Sequence, residues 1–409
     1  MFAVKVAREE YRERLAKTKE SMAKQKIEVL LITNPANMYY LTGFDGWSFY
    51  VHQMLVVIDE EEQPIWIGRT ADANAAKVTT WLREENIIAY PDTYVHSQIT
   101  HPMDFIAAIL TEIGLSSRHI GVEMDSYYFT AKCYAALTQG LPDAIFKDAT
   151  LLVNWLRIEK SPAELAMMER AAVISEQAMQ AGIELVNEGV RGCDVAAQIS
   201  YAQFRGTPQF GGDYPAIIPL LPAGERTSTP HLTWTDQPYQ MNETVILELS
   251  GCYQRYHAPI ARTVQIGKPS VSMKKLSSIV LEGLHVCLDF IKPGVTCEEI
   301  EAVWRKTVER HGVFKESRLG YSMGLNYPPD WGEHTASIRK GDKTIIRPNM
   351  TFHLIPAIWS EGESFEVSES FYVTETGCRT FGNVPRNLYV KESMPMKEIE
   401  EDKNENSAG

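Results

Sequence analysis

Several features of common protein classes are missing from this 409-residue sequence. No apolar run approaches the roughly 20 residues that cross a bilayer, so we expect no transmembrane helix. The six cysteines are scattered without a C-x-x-C pair, which favours reduced thiols in a cytoplasmic protein over a disulfide framework. Acidic residues outnumber basic ones, giving a formal net charge of −13. This charge disfavours nucleic acid and anionic membranes as partners.

Common catalytic motifs are also missing. The sequence has no glycine-rich phosphate loop and no evident Ser-His-Asp arrangement. The stretch "YSMG" around Ser322 lacks the G-x-S-x-G frame of a nucleophile elbow. The first residues are charged and amphipathic, which predicts a helix rather than a signal peptide.

The first part of the chain alternates helical and strand patterns and predicts an α/β domain over residues 1–155. The stretch "NPANMYYLTGFDG" is interpreted as a loop within it. A helix start follows at Ser161, Pro162 and Glu164, where serine caps, proline takes the first helical position and glutamate closes a capping box. This pattern predicts a long helix and a second domain over residues 156–390.

A weak internal repeat organises the second domain. Gly189 and Val190 with Asp194 match Gly294 and Val295 with Glu299, each predicting a helix end, a turn and a capped helix. Two such units indicate a pseudo-two-fold domain with helices on a curved antiparallel sheet. The predicted strands are "YPAIIPLL", "TVILELSG", "ARTVQIG", "MTFHLIPAIW" and "FEVSESFYVTET". The charged segment 391–409 is expected to be a disordered acidic tail.

An ordered set of motifs carries a family resemblance. The motifs are "NPANMYYLTGF", "KSPAEL", "PHLTW", "LELSGCYQRYHAPIARTVQIG", "GYSMG", "MTFHLIP" and "EVSESFYVTETG". Together they resemble the creatinase, prolidase and methionine-aminopeptidase family. The resemblance implies an α/β (α+β) fold, with a creatinase-like N-terminal α/β domain followed by a pita-bread catalytic domain.

Metal-dependent members of that family use five ligands: two aspartates, one histidine and two glutamates. Carried over by motif, these positions fall on Glu248, Pro259, Tyr321, Ile355 and Glu369. Proline and isoleucine offer no side-chain ligand, and a neutral tyrosine is a poor one. Because a two-metal site needs several carboxylates, the sequence predicts no metal and no cofactor.

Further motifs narrow the resemblance to the metal-free branch that opens the cyclic amidine of ectoine. They are "GFDGWSFYVHQ", "HPMDF", "GVEMDSYYFTA", "FGGDYPAIIPLLPAGERTSTPHLTWTD", "LNYPPDWGE" and "MTFHLIPAIW". The resemblance implies ectoine and 5-hydroxyectoine as substrates and Nα-acetyl-L-2,4-diaminobutyrate as product. It also implies a homodimer and a separate deacetylase that takes the product. The branch has "CPLSRT" where this chain has "APIART" beside the site, so a shifted substrate is an alternative.

The resemblance and the chemistry of an amidinium together suggest three catalytic residues. Glu248 would attack the amidine carbon, His231 would carry protons, and Glu369 would hold and orient the amidinium. The sequence leaves open whether Glu248 is instead a general base on water. It also leaves open whether the acidic residues are only paired structural charges.

Four residues are candidates for substrate binding. Arg262 could hold a carboxylate, or it could pair with a neighbouring acid. Trp47 and Phe49 could cage a cation, in their own site or across a dimer, or belong to the core. Tyr321 is expected to line the pocket, at the position of the lost histidine.

Two histidines, His257 and His353, are more typical of satisfied core or pocket residues than of ligands.

Three other functions remain open. A metal-free amidinohydrolase acting on another small amidine or guanidine is one, and a binding protein without turnover is the second. The third, a metallopeptidase, is disfavoured by the missing ligands.

Overall fold

A computed structural model describes residues 6–392 of the chain. The predicted disordered tail spans residues 391–409, and residues 393–409 of it lie outside the described part of the chain. Lys391 is the last residue of a short strand. Two units, each built on a sheet, follow one another along the chain. None of the helices within residues 6–392 combines the length and the apolarity that a membrane crossing requires.

The N-terminal unit is built on a six-stranded sheet in the order β4-β3-β2-β1-β5-β6. Strand β1 pairs antiparallel with β2 and parallel with β5, so the sheet is mixed. Its elements are α1 (Arg8–Lys24), β1 (Val29–Ile32), α2 (Pro35–Thr42), β2 (Met54–Ile58), β3 (Ile65–Arg69), α3 (Thr70–Thr79), β4 (Ile87–Tyr90), α4 (Pro102–Glu112), β5 (His119–Val122), α5 (Ala131–Gly140), β6 (Ile145–Asp148) and α6 (Leu152–Leu156).

Helix α2 replaces the loop that we expected at this position. Asn34 caps the helix by accepting a hydrogen bond from the Ala36 amide, and Pro35 takes the first helical position. The Asn-Pro pair is a recognisable helix start, and Gly43 ends the helix with a φ of 80°. The predicted loop was wrong because these start and stop signals were overlooked.

The C-terminal unit contains a five-stranded sheet in the order β10-β9-β11-β14-β15. It also contains a long hairpin of β7 and β8, and β16 pairs with β8 to form a three-stranded sheet. Its elements are α7 (Pro162–Leu185), α8 (Gly192–Arg205), β7 (Thr244–Tyr253), β8 (Tyr256–Ile266), α9 (Val271–Phe290), α10 (Cys297–Glu309), β9 (Gly320–Met323), β10 (Gly332–Ile338), β11 (Thr351–Leu354), β12 (Ala357–Ile358), β13 (Phe365–Glu366), β14 (Glu369–Val373), β15 (Cys378–Thr380) and β16 (Tyr389–Lys391).

The predicted capping box at the start of α7 is confirmed. Ser161 accepts a hydrogen bond from the Glu164 amide, and the Glu164 carboxylate accepts one from the Ser161 amide. In the repeat, α10 has the same device at Thr296 and Glu299. Helix α8 has no side-chain cap, so the expectation of two capped helices is wrong for the first copy of the repeat.

Three predicted strands differ from the structure. The segment "YPAIIPLL" is not a strand; only Leu220 forms an isolated bridge, to Glu248, because closely spaced prolines remove amide donors. Pro356 interrupts "MTFHLIPAIW" between β11 and β12. The segment "FEVSESFYVTET" divides into β13 and β14, which pair with different strands.

The two units share a hydrophobic core and a polar contact. Asp45 of the N-terminal unit accepts a hydrogen bond from Tyr327 Oη at 2.8 Å and pairs with Arg255 Nε at 3.0 Å. Arg255 lies at the tip of the β7–β8 hairpin, where its φ is 65°. The contact therefore fixes the hairpin against the N-terminal unit.

Candidate active site

The β7–β8 hairpin brings Glu248 to the wall of a cavity of about 490 Å³. The carboxylate lies in the middle of β7, opposite Ala261 in the hairpin register. Glu248 is 6% exposed, so its side chain is reached only through this cavity. Other lining residues are Tyr127, Ile217, Leu220, Pro230, His231, Ser317, Arg318, Tyr321, Pro329, Asp330, Trp331, Ile355 and Trp359.

A second carboxylate and a lysine lie beside Glu248. Glu366 is buried on β13, and its Oε2 accepts a hydrogen bond from Trp359 Nε1 at 3.0 Å. The Lys315 ammonium lies over the same indole ring, 4.1 Å from its centroid. Neither Lys315 Nζ nor Glu366 Oε1 has a hydrogen-bond partner among the described residues.

These three groups perturb one another's ionisation. Burial raises the pKa of Glu248 well above its usual value, and the negative charge of Glu366 raises it further. Burial also raises the pKa of Glu366 to about 7. Burial lowers the pKa of Lys315 to about 8, against the opposing pull of the two carboxylates. Of the three, Glu248 lines the cavity, and an ionisable group shifted by interacting neighbours at a cavity wall is typical of an active site.

Glu369 and Arg262 occupy a different place from the cavity, since neither lines it. The Glu369 carboxylate accepts hydrogen bonds from Arg262 Nη2 at 2.6 Å and from Arg386 Nε at 3.0 Å. Strand alternation places residue 369 on the opposite face from Ser368, whose Oγ lies 2.7 Å from His353 Nε2. Of the two glutamates, Glu366 is the one whose charge acts on Glu248.

The positions that hold metal ions in related enzymes do not fit a metal here. Pro259 and Ile355 have no side-chain donor, and Tyr321 Oη accepts a hydrogen bond from Trp331 at 2.8 Å. Glu369 is committed to two arginines. Within residues 6–392, one group of three neighbouring His, Cys, Asp or Glu side chains has the spacing of metal ligands, and it does not include Glu248. We therefore derive no step through a metal ion at this cavity.

Arg318 places a positive charge at the cavity wall. Within residues 6–392 no carboxylate forms an ion pair with it. Its guanidinium lies 4.1 Å from the centroid of the Tyr321 ring, and its Nη1 donates to Ser337 Oγ at 3.3 Å. A planar guanidinium held in this way can bind a carboxylate through two parallel hydrogen bonds.

The structure brings His231 and Tyr321 to the cavity with Glu248. His231 is exposed at its wall. Trp47 and Phe49 do not line the cavity. Trp47 is 58% exposed and packs edge-on against Tyr214, and Phe49 packs edge-on against Tyr128.

His257 and His353 are satisfied core residues, as the sequence analysis expected. His257 Nε2 accepts a hydrogen bond from the Ala216 amide at 2.8 Å, and burial lowers its pKa to about 4. Burial lowers the pKa of His353 to about 3. Both rings are therefore neutral at ordinary pH.

The sequence reasoning missed Glu366, Lys315 and Arg318. Glu366 lies on β13, which a two-residue break separates from β14, so strand alternation counted from Glu369 does not place its side chain. Lys315 and Arg318 lie in a segment without regular secondary structure between α10 and β9. In such a segment the spacing of residues does not predict where their side chains point. No local signal identifies them.

Comparisons with known proteins agree with this architecture. Residues 166–375 match the model of metallopeptidase family M24, and residues 14–158 match the creatinase/prolidase N-terminal domain. The chain is 47% identical to the uncharacterized hydrolase/peptidase y4tM of Sinorhizobium fredii, over 94% of this chain and 98% of that protein. It is 44% identical to the ectoine hydrolase of Halomonas elongata, over 94% of this chain and 98% of that protein.

Solved structures share the fold at low identity. A prolidase from Thermococcus sibiricus superposes with a TM-score of 0.81 at 20% identity, covering 93% of this chain and 99% of that one. An X-Pro aminopeptidase from Thermotoga maritima gives a TM-score of 0.77 at 21% identity, covering 92% and 99%. The predicted two-part creatinase-like and pita-bread architecture is confirmed.

Proposed function

The chain is a hydrolase that belongs to metallopeptidase family M24, with a creatinase/prolidase N-terminal domain, and we propose that it opens the cyclic amidine ring of ectoine without a metal ion. One observation carries the proposal: Glu248 lines a cavity together with Arg318, which forms no ion pair with a carboxylate within residues 6–392, and Ile355 at a metal-ligand position of the family offers no side-chain donor. The 44% identity to an ectoine hydrolase supports the choice of substrate.

The two charges of ectoine match two charged residues that line this cavity, Glu248 and Arg318. Its amidinium is a delocalised cation with two N–H donors, and its carboxylate is a planar anion. The amidinium would bind at Glu248, and the carboxylate would bind the Arg318 guanidinium. The proposal therefore assigns carboxylate binding to Arg318. Arg262 is already paired with Glu369.

In the proposed reaction Glu248 is the nucleophile. A carboxylate oxygen forms a bond to the carbon between the two ring nitrogens, giving a tetrahedral adduct. The adduct collapses by breaking one carbon–nitrogen bond, and the electron pair goes to the departing nitrogen. Water then attacks the enzyme-linked carbon, releases Glu248 and leaves Nα-acetyl-L-2,4-diaminobutyrate.

The departing amine requires a proton, which we assign to His231. This histidine is the one that lines the cavity with Glu248, and an imidazole exchanges protons readily near neutral pH. Its exposed position allows it to recover a proton from solvent.

We assign Glu366 and Lys315 to tuning the charge of Glu248. The carboxylate of Glu366 raises the pKa of Glu248, whereas the Lys315 ammonium lowers it. A bound amidinium adds positive charge beside Glu248 and favours its ionised, nucleophilic form. Glu369 is proposed to be structural.

The remaining elements of the proposal follow the family resemblance. They are turnover of 5-hydroxyectoine, a homodimer, a cytoplasmic location, and a separate deacetylase that consumes the product. The half-exposed Trp47 and Tyr50 offer apolar surface for a second copy, and a role across the dimer is proposed for Trp47 and Phe49. We also propose domains at 1–155 and 156–390, although the boundary falls within α6.

Proton NMR of ectoine incubated with EDTA-treated protein tests the proposal. We expect the ring-opened acetyl product from the wild type and none from Glu248→Ala. Glu361→Gln, which changes an exposed glutamate on a loop, is the matched control and should retain activity. Unchanged ectoine with folded wild-type protein would contradict the proposal, and creatine and other small amidines would then be assayed.

Mass spectrometry of acid-quenched enzyme tests the covalent step. We expect the peptide containing Glu248 to gain the mass of intact substrate during turnover. Active enzyme with no such adduct under single-turnover conditions would instead support Glu248 as a general base on water.

A further inference from the structure

A cluster of soft ligands in the N-terminal unit is unrelated to the cavity. His52, His101 and Cys133 each offer one ligand atom, and these atoms all lie within 4.8 Å of one another. His52 precedes β2, His101 caps α4, and Cys133 lies in the first turn of α5. Three separate segments therefore converge on one point.

We propose that His52, His101 and Cys133 form a binding site for a zinc-class divalent cation. The Cys133 sulfur lies 3.6 Å from Nδ1 and 3.7 Å from Nε2 of His52. Tetrahedral coordination with typical zinc–sulfur and zinc–nitrogen bonds places sulfur and nitrogen roughly 3.6 Å apart. The spacing between Cys133 and His52 is thus the one that such an ion requires, and the ligand atom of His101 lies within 4.8 Å of theirs.

Neighbouring groups orient these side chains as outer partners orient metal ligands. His101 Nδ1 accepts a hydrogen bond from the Met103 amide at 3.2 Å, which leaves Nε2 available. The backbone of Tyr128 hydrogen-bonds the His52 ring. Thr130 Oγ1 lies 3.3 Å from Cys133 Sγ, at the N-terminal end of α5.

Burial supports the same assignment. Cys133 is fully buried and the two imidazoles are partly exposed, so an ion would enter from the histidine side. On binding, the thiol loses its proton to solvent as the metal–sulfur bond forms.

The ligand set also selects the ion. Two imidazoles and a thiolate suit zinc or cobalt, whereas magnesium and calcium prefer oxygen ligands. A bound ion would tie the segment after Trp47 and Phe49 to α4 and α5. Its role would be structural and independent of the chemistry at Glu248.

Titration of the metal-stripped full-length protein with Zn²⁺ and Co²⁺ tests the site. We expect one Zn²⁺ per chain by elemental analysis, a thiolate-to-cobalt charge-transfer band with Co²⁺, and a higher melting temperature with Zn²⁺. Cys133→Ser should abolish the band and weaken Zn²⁺ binding at least ~100-fold. His101→Asn keeps a helix-capping side chain but removes the imidazole, and it should weaken binding similarly.

The matched control is His119→Ala, which removes a histidine of the same unit outside the cluster and should leave binding unchanged. Circular dichroism and hydrolase activity show whether each variant folds. Absence of a cobalt–thiolate band in the wild type, or zinc binding unchanged in both Cys133→Ser and His101→Asn, would overturn the site. Because binding is measured directly, either result is independent of the proposed ectoine chemistry.

Discussion

Arg262 Nη2 lies 2.6 Å from Glu369 Oε1, and both side chains are buried. The same guanidinium donates to the carbonyl oxygens of Ser368 and Val384. The pair therefore joins β8 to the strand and the terminal segment that lie beside it. From these partners we infer that the ion pair holds the segments together and does not bind a ligand.

Glu369→Ala is expected to lower the free energy of unfolding by about 3–5 kcal/mol, because it leaves the buried Arg262 charge without its carboxylate. Urea denaturation measures the change. Glu361→Ala, on an exposed loop, should change stability by less than ~0.5 kcal/mol. A fully stable Glu369→Ala protein that had lost activity would instead support a catalytic role for Glu369.

Glu366→Gln is expected to move the acidic limb of the kcat/KM–pH profile to lower pH. The proposed reaction needs Glu248 ionised, and burial and then the charge of Glu366 raise the pKa of Glu248. In the wild type burial raises the pKa of Glu366 to about 7, so the shift is expected in the part of the limb above that pH, where Glu366 is charged. The glutamine removes this charge at every pH. An acidic limb at the same pH in both proteins would show that Glu366 does not influence Glu248.

Arg318→Ala is expected to raise KM for ectoine roughly 10- to 150-fold, the effect of losing a charged hydrogen bond. The kcat should change much less, because the carboxylate takes no part in the bonds that form and break. Steady-state kinetics with ectoine and with its uncharged carboxamide measure the effect. The carboxamide should show no penalty, and Arg339→Ala, at an exposed position, is the control. An equal penalty for both substrates would contradict a carboxylate contact.

His231→Ala is expected to lower kcat by about 10²- to 10⁴-fold, the usual contribution of general acid catalysis, with little change in KM. Added imidazole should restore part of the rate. His285→Ala, at an exposed position on α9, should behave as the wild type. A large KM effect without imidazole rescue would indicate that His231 binds substrate instead.

The fold was largely predictable because its signals are local. The capping box at Ser161 and the strand–turn–strand rhythm around Glu248 depend on neighbouring residues, and both are present. The errors have local causes as well. Asn34 and Pro35 start a helix that we interpreted as a loop, and Pro356 divides a predicted strand.

The sequence by itself determined that the family's metal ligands are missing, because proline and isoleucine have no donor atom in any conformation. It also determined that a carboxylate stays at Glu248. Only the tertiary structure decided which charges serve the cavity. Arg262 and Glu369 are 107 residues apart in sequence and neutralise each other, whereas Glu366 lies beside Glu248. Ion pairing depends on distance through space and on burial, and neither is encoded in local spacing.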